Sequence, residues 1–238
     1  MAGLDPAIQG HQKPCLWLWM AGSVAGHGER NMISSLTAEN LVCVRGDKRV
    51  FEGVSFRVAA GHALAVEGAN GAGKTSLLRM IAGFLAPAAG RLIVKNAQGE
   101  SDDAEERGKL VGWLGHQDGL KPQLTVIEQL NFFAHLYGKQ ADPSLLEQVG
   151  LARQRDLPCR YLSAGQRRRL ALARLLAGTR ALWLLDEPFA ALDTAGQRLV
   201  AQLMAGHCKA GGLIIAATHD PLGLGNETLR LANESLKL

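Results

Sequence analysis

The sequence lacks a hydrophobic segment long enough to cross a membrane. A membrane-spanning helix needs roughly 20 consecutive apolar residues, and the longest candidate, residues 15–26, is shorter. Lys13 before this stretch gives a superficial likeness to a secretory signal, but residues 1–33 precede every recognisable element. We therefore expect a disordered leader or a misassigned start over 1–33, with Met32 as an alternative start, and one domain over 34–238.

Cysteine and charge are also too scattered to define a site. The cysteines stand singly, without the spacing of a metal site or a haem attachment site, at Cys15, Cys43, Cys159 and Cys208. This distribution favours a reducing, cytoplasmic compartment. The formal net charge of +4 is spread along the chain, and we interpret the basic triplet 167–169 as the solvated face of a helix. The charge pattern therefore predicts no nucleic-acid partner.

The strongest positive signal is the octapeptide GANGAGKT. It follows a short apolar run at 63–67 and precedes apolar residues at helical spacing, so it joins a strand to a helix N-terminus. In that context bare backbone N–H groups and the helix dipole bind phosphates, Lys74 reaches the outer phosphates, and the Thr75 hydroxyl can ligate Mg²⁺. The pattern predicts a nucleoside triphosphate site formed by Gly68, Ala69, Asn70, Gly71, Ala72, Gly73, Lys74, Thr75 and Ser76.

A second apolar strand ends in two adjacent acids, in the segment RALWLLDEP at 180–188. Buried strands are continuous apolar runs, and open α/β sheets bind ligands at the carboxyl ends of their strands. This pattern predicts that Asp186 holds Mg²⁺ and that Glu187 polarises an attacking water molecule. The alternative is a simple helix cap or turn before Pro188. The phosphate loop upstream makes that alternative the weaker one.

These two sites and the pentapeptide LSAGQ at 162–166 together resemble the ATP-binding subunits of ABC transporters. The resemblance covers the chain from about residue 36 to its end. It implies an α/β fold of the P-loop NTPase class, namely an ABC nucleotide-binding domain with an N-terminal antiparallel β subdomain. A helical subdomain is expected as an insertion at about 118–178. ATP and Mg²⁺ are the cofactors that the resemblance implies.

Two further positions take their roles from this resemblance. Gln117 matches the glutamine loop, which implies a third Mg²⁺ ligand beside Thr75 and Asp186. His219 matches the switch histidine, which implies a contact with the γ-phosphate and, with Glu187, a catalytic role. Taken alone, Gln117 would be an ordinary surface glutamine and His219 a turn residue.

The pentapeptide also has a physical role of its own. Ser163 and Gln166 form a capping box, which predicts a helix over 166–177, and a helix N-terminus with small residues can bind an anion. In the resembled family this N-terminus meets the γ-phosphate bound by a second copy, which implies a homodimer with ATP between its subunits. The family pattern then assigns Gly165 and Asp193 to the nucleotide site together with Ser163 and Gln166.

One position departs from the family pattern. Where these proteins usually stack adenine on an aromatic side chain, the nearest counterpart in this chain is Arg45. A planar guanidinium can stack on a base, so we predict that Arg45 contacts adenine. The alternative is a solvated residue in the turn at 45–48.

The segment LGHQDGLKPQ at 114–123 narrows the resemblance to one subgroup, the ATP-binding subunits of the haem exporter used in cytochrome c biogenesis. This implies separate membrane-spanning permease subunits, CcmB-like and CcmC-like, and a peripheral location at the cytoplasmic face of the bacterial inner membrane. An ABC subunit for another small solute and a soluble ABC ATPase, such as an iron–sulfur assembly factor, remain as alternatives. We interpret His116 as a hydrogen-bonding core residue rather than a haem ligand.

Local sequence patterns along the rest of the chain predict its other elements. Alternating apolar residues predict antiparallel strands at 41–44 and 50–58, and Thr125 with Glu128 forms a capping box at the start of a helix over 125–137. The acidic run 100–106 is expected to be a solvated loop.

Overall fold

The computed structural model describes residues 32–225 and 227–231, so residues 1–31 of the leader expected at 1–33 and the segment 232–238 lie outside it. The strands are β1 (Ile33–Arg45), β2 (Lys48–Ala59), β3 (Ala63–Glu67), β4 (Ala89–Asn96), β5 (Gly99–Ser101), β6 (Val111–Leu114), β7 (Leu182–Asp186), β8 (Leu213–Ala217) and β9 (Glu227–Arg230). The α-helices are α1 (Lys74–Ile81), α2 (Ala104–Leu110), α3 (Val126–Leu136), α4 (Ser144–Gln148), α5 (Ala164–Gly178) and α6 (Thr194–Lys209). Among these described helices, none is both long and apolar enough to cross a bilayer.

The first sheet is antiparallel and has the strand order β2-β1-β4-β5. Its central strand β1 pairs with β2, where Leu36 lies opposite Val58, and with β4, where Leu36 lies opposite Val94. Leu36, Val58 and Val94 are all buried, since the same face of each strand packs on the core. The expected antiparallel subdomain is confirmed, although β1 is longer than the predicted strand at 41–44.

The second sheet is parallel and has the order β6-β7-β8-β3-β9. Asp186 and Val66 are both in register with Ala217, so strands β7, β8 and β3 end at the same level. The segments that follow these three neighbouring strands therefore leave the sheet side by side, which brings distant parts of the sequence to one edge.

Alternate residues of each parallel strand pack into two different hydrophobic cores. In β7, Leu182 and Leu184 contact the core that includes helix α1 and the antiparallel sheet, whereas Trp183 and Leu185 contact the core that includes α3, α5 and α6. Both faces of the strand are thus buried, which explains its uninterrupted apolar sequence. Burial of each such side chain is worth about 1.5–3 kcal/mol.

The chain between β6 and β7 is helical and contains α3, α4 and α5. Thr125 caps α3 as predicted, because its hydroxyl accepts from the Glu128 backbone and the Glu128 carboxylate accepts from the Thr125 backbone. Ser163 caps α5 in the same way with Gln166, so α5 begins at Ala164, two residues before the predicted start. The exact limits of a helical subdomain at 118–178 stay a prediction.

The acidic run at 100–106 is largely exposed to solvent as expected, but the expectation that it forms a loop was wrong. Residues Gly99–Ser101 form β5, which pairs with β4, and α2 starts directly after Asp103, whose side chain accepts from the Glu105 backbone at 2.7 Å. Acidic side chains in the first turn of α2 interact favourably with the helix dipole. The same charges that indicated solvation therefore also promote a helix start.

Candidate active site

The phosphate loop connects β3 to the N-terminus of α1, where glycine is required by close contacts. Gly73 has φ +99°, and a Cβ atom built on it would lie 2.6 Å from Val50 Cγ1. Gly68 is constrained in the same manner, because an added Cβ would approach the Leu231 carbonyl oxygen at 2.8 Å. The loop therefore carries no side chain at these two positions, beside the first N–H groups of α1, which have no partner within the helix.

Lys74 joins this loop to the strand that ends before His219. Its Nζ donates to the carbonyl oxygens of Gly68 at 2.7 Å and Ala69 at 3.4 Å, and it lies 3.1 Å from Nε2 of His219. A lysine ammonium has only donors, so Nε2 is the acceptor in this contact. The structure thus brings together two residues that are 145 positions apart in the sequence.

Thr75 and Asp186 form the part of the site that fits a magnesium ion. Thr75 Oγ1 donates to Asp186 Oδ2 at 2.9 Å, and Asp186 is only 5% exposed at the end of β7. In the described residues no group of three or more His, Cys, Asp or Glu side chains could hold a metal. Magnesium in proteins is usually bound by one or two carboxylates together with substrate phosphates and water. The hydroxyl and carboxylate oxygens present therefore suit Mg²⁺ beside a nucleotide.

Glu187 follows Asp186 in a strained backbone conformation. Its φ is +51°, in the left-handed region that side chains with a Cβ seldom adopt, and its N–H donates to the Ala217 carbonyl at 2.8 Å. Its carboxylate Oε1 lies 3.6 Å from His219 Nε2, which is beyond normal hydrogen-bond length. The carboxylate is consequently close to the histidine, and the Nε2 atom remains directed to Lys74.

A cleft of about 500 Å³ lies over this edge of the sheet. Its walls are formed by Arg45, Val50, Ala69, Asn70, Gly71, Gly73, Lys74, Thr75, Ser76, Arg79, His116, Asp186 and Glu187. The interpretation of His116 as a core residue was wrong, because its side chain is exposed and lines the cleft. Sequence reasoning missed Arg79, although its position four residues after Thr75 places it on the same helix face.

Several residues that were predicted to bind the nucleotide or Mg²⁺ lie outside the cleft lining. Gln117 is exposed and does not line the cleft in the described structure. Ser163 and Gln166 cap α5, and Asp193 caps α6 by accepting from the Gly196 backbone at 2.7 Å. Gly165 packs beside the segment before α6, since a Cβ there would lie 2.9 Å from the Ala191 carbonyl oxygen. The two helix N-termini are therefore close to each other but apart from the cleft lining.

The basic triplet at 167–169 is not a solvated face, which corrects the expectation from charge. Arg168 is buried, Arg167 donates to the Leu162 carbonyl at 2.6 Å, and Arg169 donates to the Val149 carbonyl at 2.9 Å. Consecutive residues of a helix point about 100° apart, so three adjacent arginines cannot share one solvent face. Each of them instead reaches a different backbone segment.

The phosphate loop, the strand that ends in Asp186 and the histidine bound to the loop lysine define a P-loop ATPase. The sequence model of the family described as ABC transporter matches residues 51–190, and the chain belongs to this family of ATP-binding domains, whose members bind ATP and hydrolyse it to drive transport. Among curated proteins the chain is similar to the cytochrome c biogenesis ATP-binding export proteins called CcmA. It is 50% identical over 198 residues to that of Rhodopseudomonas palustris (strain BisB5), with 82% of this chain and 97% of the relative covered.

Other relatives agree with this similarity. The protein of the same description from Dechloromonas aromatica (strain RCB) is 44% identical over 199 residues, with the same coverage of 82% and 97%. A putative ABC transporter ATP-binding protein from Pyrococcus furiosus has a solved structure that superimposes with a TM-score of 0.71 at 25% identity, covering 83% of this chain and 98% of that one. A dimeric, post-hydrolysis structure of the cassette MJ0796 with ADP and Pi gives 0.69 at 23% identity, covering 82% and 94%. The latter similarity shows the fold alone.

Proposed function

We propose that this chain is the ATP-hydrolysing subunit of an ABC exporter that delivers haem for the assembly of c-type cytochromes. The observation that carries the proposal is the similarity to curated cytochrome c biogenesis export proteins, which extends over 97% of their length at up to 50% identity in the examples above. The cleft supports it, because the phosphate loop, Asp186 and Glu187 line one space.

In this proposal each of the predicted catalytic and metal-binding residues has a defined task. Lys74 and the loop backbone bind the β- and γ-phosphates, and Thr75 and Asp186 hold Mg²⁺ with Gln117 as a further ligand. Bound Mg²⁺ neutralises the charge of the transferred phosphoryl group. Glu187 orients and polarises the attacking water. His219 contacts the γ-phosphate from the end of β8.

Arg45 is the proposed contact for the adenine ring. Arg45 and Val50 line the same cleft as the phosphate loop, and a guanidinium plane can stack on a base. His116 and Arg79 line the cleft as well. The Arg79 guanidinium adds a positive charge to the surround of the nucleotide.

The complete site is proposed to need two copies of the chain. Ser163, Gly165, Gln166 and Asp193 lie at helix N-termini apart from the cleft lining, and a helix N-terminus attracts phosphate. In a homodimer these residues would contact the ATP held by the partner's phosphate loop. The dimer would act on CcmB-like and CcmC-like permease subunits, as a peripheral component at the cytoplasmic face of the bacterial inner membrane.

Deletion of the gene, followed by complementation, tests the export function. A strain without this chain is expected to lose covalently bound haem in its c-type cytochromes, measured by haem staining after denaturing electrophoresis. Wild-type protein and the exposed-surface variant Glu147→Gln restore the stain, whereas Glu187→Gln does not. Normal c-type cytochromes in the deletion strain would show that the chain serves another solute or another process.

Glu187→Gln also tests the ATPase chemistry directly. The amide preserves shape but cannot act as a base, so we expect kcat to fall by about 10²-fold or more, while ATP binding persists and a closed dimer with trapped ATP accumulates. The measurement combines phosphate release with gel filtration of the full chain in the presence of MgATP. Undiminished turnover would remove Glu187 from the mechanism.

A further inference from the structure

We propose that Arg168 is a positioning residue for ATP hydrolysis, which fixes Glu187 through its backbone and connects it to the loop at 115–118. This inference rests on the proposed role of Glu187. Arg168 lies in α5 and is only 3% exposed. A charge removed from water must be satisfied by partners in the protein, and the positions of those partners show what the residue does.

The two terminal nitrogens of the guanidinium face two different segments. Nη2 donates to the carbonyl oxygens of Asp186 at 2.5 Å and Glu187 at 2.7 Å. Nη1 donates to the Gly115 carbonyl at 2.8 Å and to Asp118 Oδ1 at 3.1 Å. The guanidinium is planar and rigid, so a displacement of the loop at 115–118 is transmitted to the backbone of the two acids.

Glu187 depends on such a restraint because its backbone conformation is unfavourable. With φ at +51° the peptide would relax if it were free. The Ala217 carbonyl accepts from its N–H, and Arg168 donates to its carbonyl oxygen. These two contacts hold the residue on both sides and set where its carboxylate points, 3.6 Å from His219 Nε2.

If Arg168 only stabilised the fold, its hydrogen bonds would be expected to satisfy all of its donors and to stay within one segment. The buried Nε atom of Arg168 makes no hydrogen bond within the described residues, and an unsatisfied buried donor destabilises the fold. Neighbouring Arg169 offers the matched comparison. It donates to the carbonyl oxygens of Val149 and Gly150, at 2.9 and 3.1 Å, and both acceptors lie in the helical segment between β6 and β7.

The test uses the full chain in its membrane complex with MgATP as the probe. Arg168→Gln is expected to lower kcat by about 10²-fold, since small misplacements of a reacting group have effects of that size. The KM for ATP is expected to change less than about threefold, because no atom of Arg168 lines the cleft in the described structure. Arg168→Lys should retain intermediate turnover, and Arg169→Gln should keep the wild-type kcat.

Combination with Glu187→Gln separates positioning from folding. If Arg168 acts through Glu187, adding Arg168→Gln to Glu187→Gln produces no further loss of kcat. A multiplicative loss, or wild-type kcat in Arg168→Gln, would overturn the inference. Should Arg168→Gln fail to fold, Arg168→Lys and Asp118→Asn carry the test, and wild-type kcat in both would overturn it equally. An inactive wild-type complex would instead contradict the proposed function.

Discussion

At the scale of single residues, the left-handed backbone positions of the site have two distinct origins. Gly73 is required because a side chain would meet Val50 and Phe51. Glu187 is not glycine and is held at φ +51° by hydrogen bonds on both sides of its peptide. The first is a steric requirement that the local pattern GANGAGKT predicts. The second depends on contacts from β8 and α5, which no local pattern contains.

Gly73→Ala is expected to destabilise the fold by about 3 kcal/mol. The left-handed conformation costs about 1–2 kcal/mol, and the forced contact with Val50 adds about 1–3 kcal/mol. Gly46→Ala is the control, because Gly46 has φ +60° but nothing within 4 Å of an added Cβ. Urea unfolding should show a loss of only about 1 kcal/mol for the control. Equal losses would mean that the contact at Gly73 relaxes without cost.

At the scale of elements, helix starts were predictable and buried arginines were not. The capping boxes at Thr125 and Ser163 depend on residues three positions apart, so their signal lies within the sequence window that forms them. The acidic run at 100–106 was misjudged because acids favour both solvent and the first turn of a helix. Arg168 was assigned to solvent because its partners lie 18 to 53 residues away.

Ser163→Ala and Thr125→Ala are a matched pair of cap removals. Each replaces one hydroxyl of a complete capping box and should lower the free energy of unfolding by about 1 kcal/mol. Of these two residues, only Ser163 contacts the nucleotide in the proposed mechanism, so only Ser163→Ala should reduce ATP turnover. Urea unfolding and phosphate release measure the two effects. Similar losses of turnover in both variants would attribute the Ser163 effect to stability.

Helix α6 is expected to make the stability dependent on pH. His207 stacks on Trp183 with ring centroids 4.0 Å apart, and burial lowers the pKa of His207 from 6.5 to about 4. Between these values the unfolded chain binds a proton that the native protein does not. The contribution of His207 to the free energy of unfolding is therefore fully retained above pH 6.5. It is lost as the pH drops towards 4, by up to about 3 kcal/mol.

The measurement for His207 compares unfolding free energies at pH 7 and pH 4.5. His207→Gln cannot ionise, so its stability should fall less between these pH values than that of the wild type. The exposed His135→Gln serves as the control and should follow the wild-type curve. A wild-type slope in His207→Gln would show that other groups cause the acid sensitivity.

At the scale of the whole molecule, the sheet order decides which distant segments meet. The phosphate loop follows β3, His219 follows β8, and Asp186 is the last residue of β7. These three strands are neighbours in the parallel sheet. The motifs in the sequence predicted each of these segments and their family. They did not predict that Arg79 and His116 would share the cleft, because the order of strands depends on packing between segments that are far apart in the chain.

The proposed dimer predicts complementation between two inactive chains. Lys74→Ala removes the proposed phosphate contact of the cleft, and Ser163→Arg obstructs the helix start that would meet the partner's ATP. Each variant alone should be inactive, whereas random pairing makes half of the dimers mixed, each with one intact site of two. Mixing equal amounts should restore about a quarter of wild-type turnover. Turnover that stays at zero would contradict sites shared between two chains.

The alternation of β7 between two cores also affects how the protein can change over generations. Trp183 and Leu185 contact the helices that follow β6, whereas Leu182 and Leu184 contact α1 and the antiparallel sheet. Substitutions at the first pair can therefore repack the helical side without altering the packing behind the phosphate loop. One strand thus allows divergence on one face and constancy on the other.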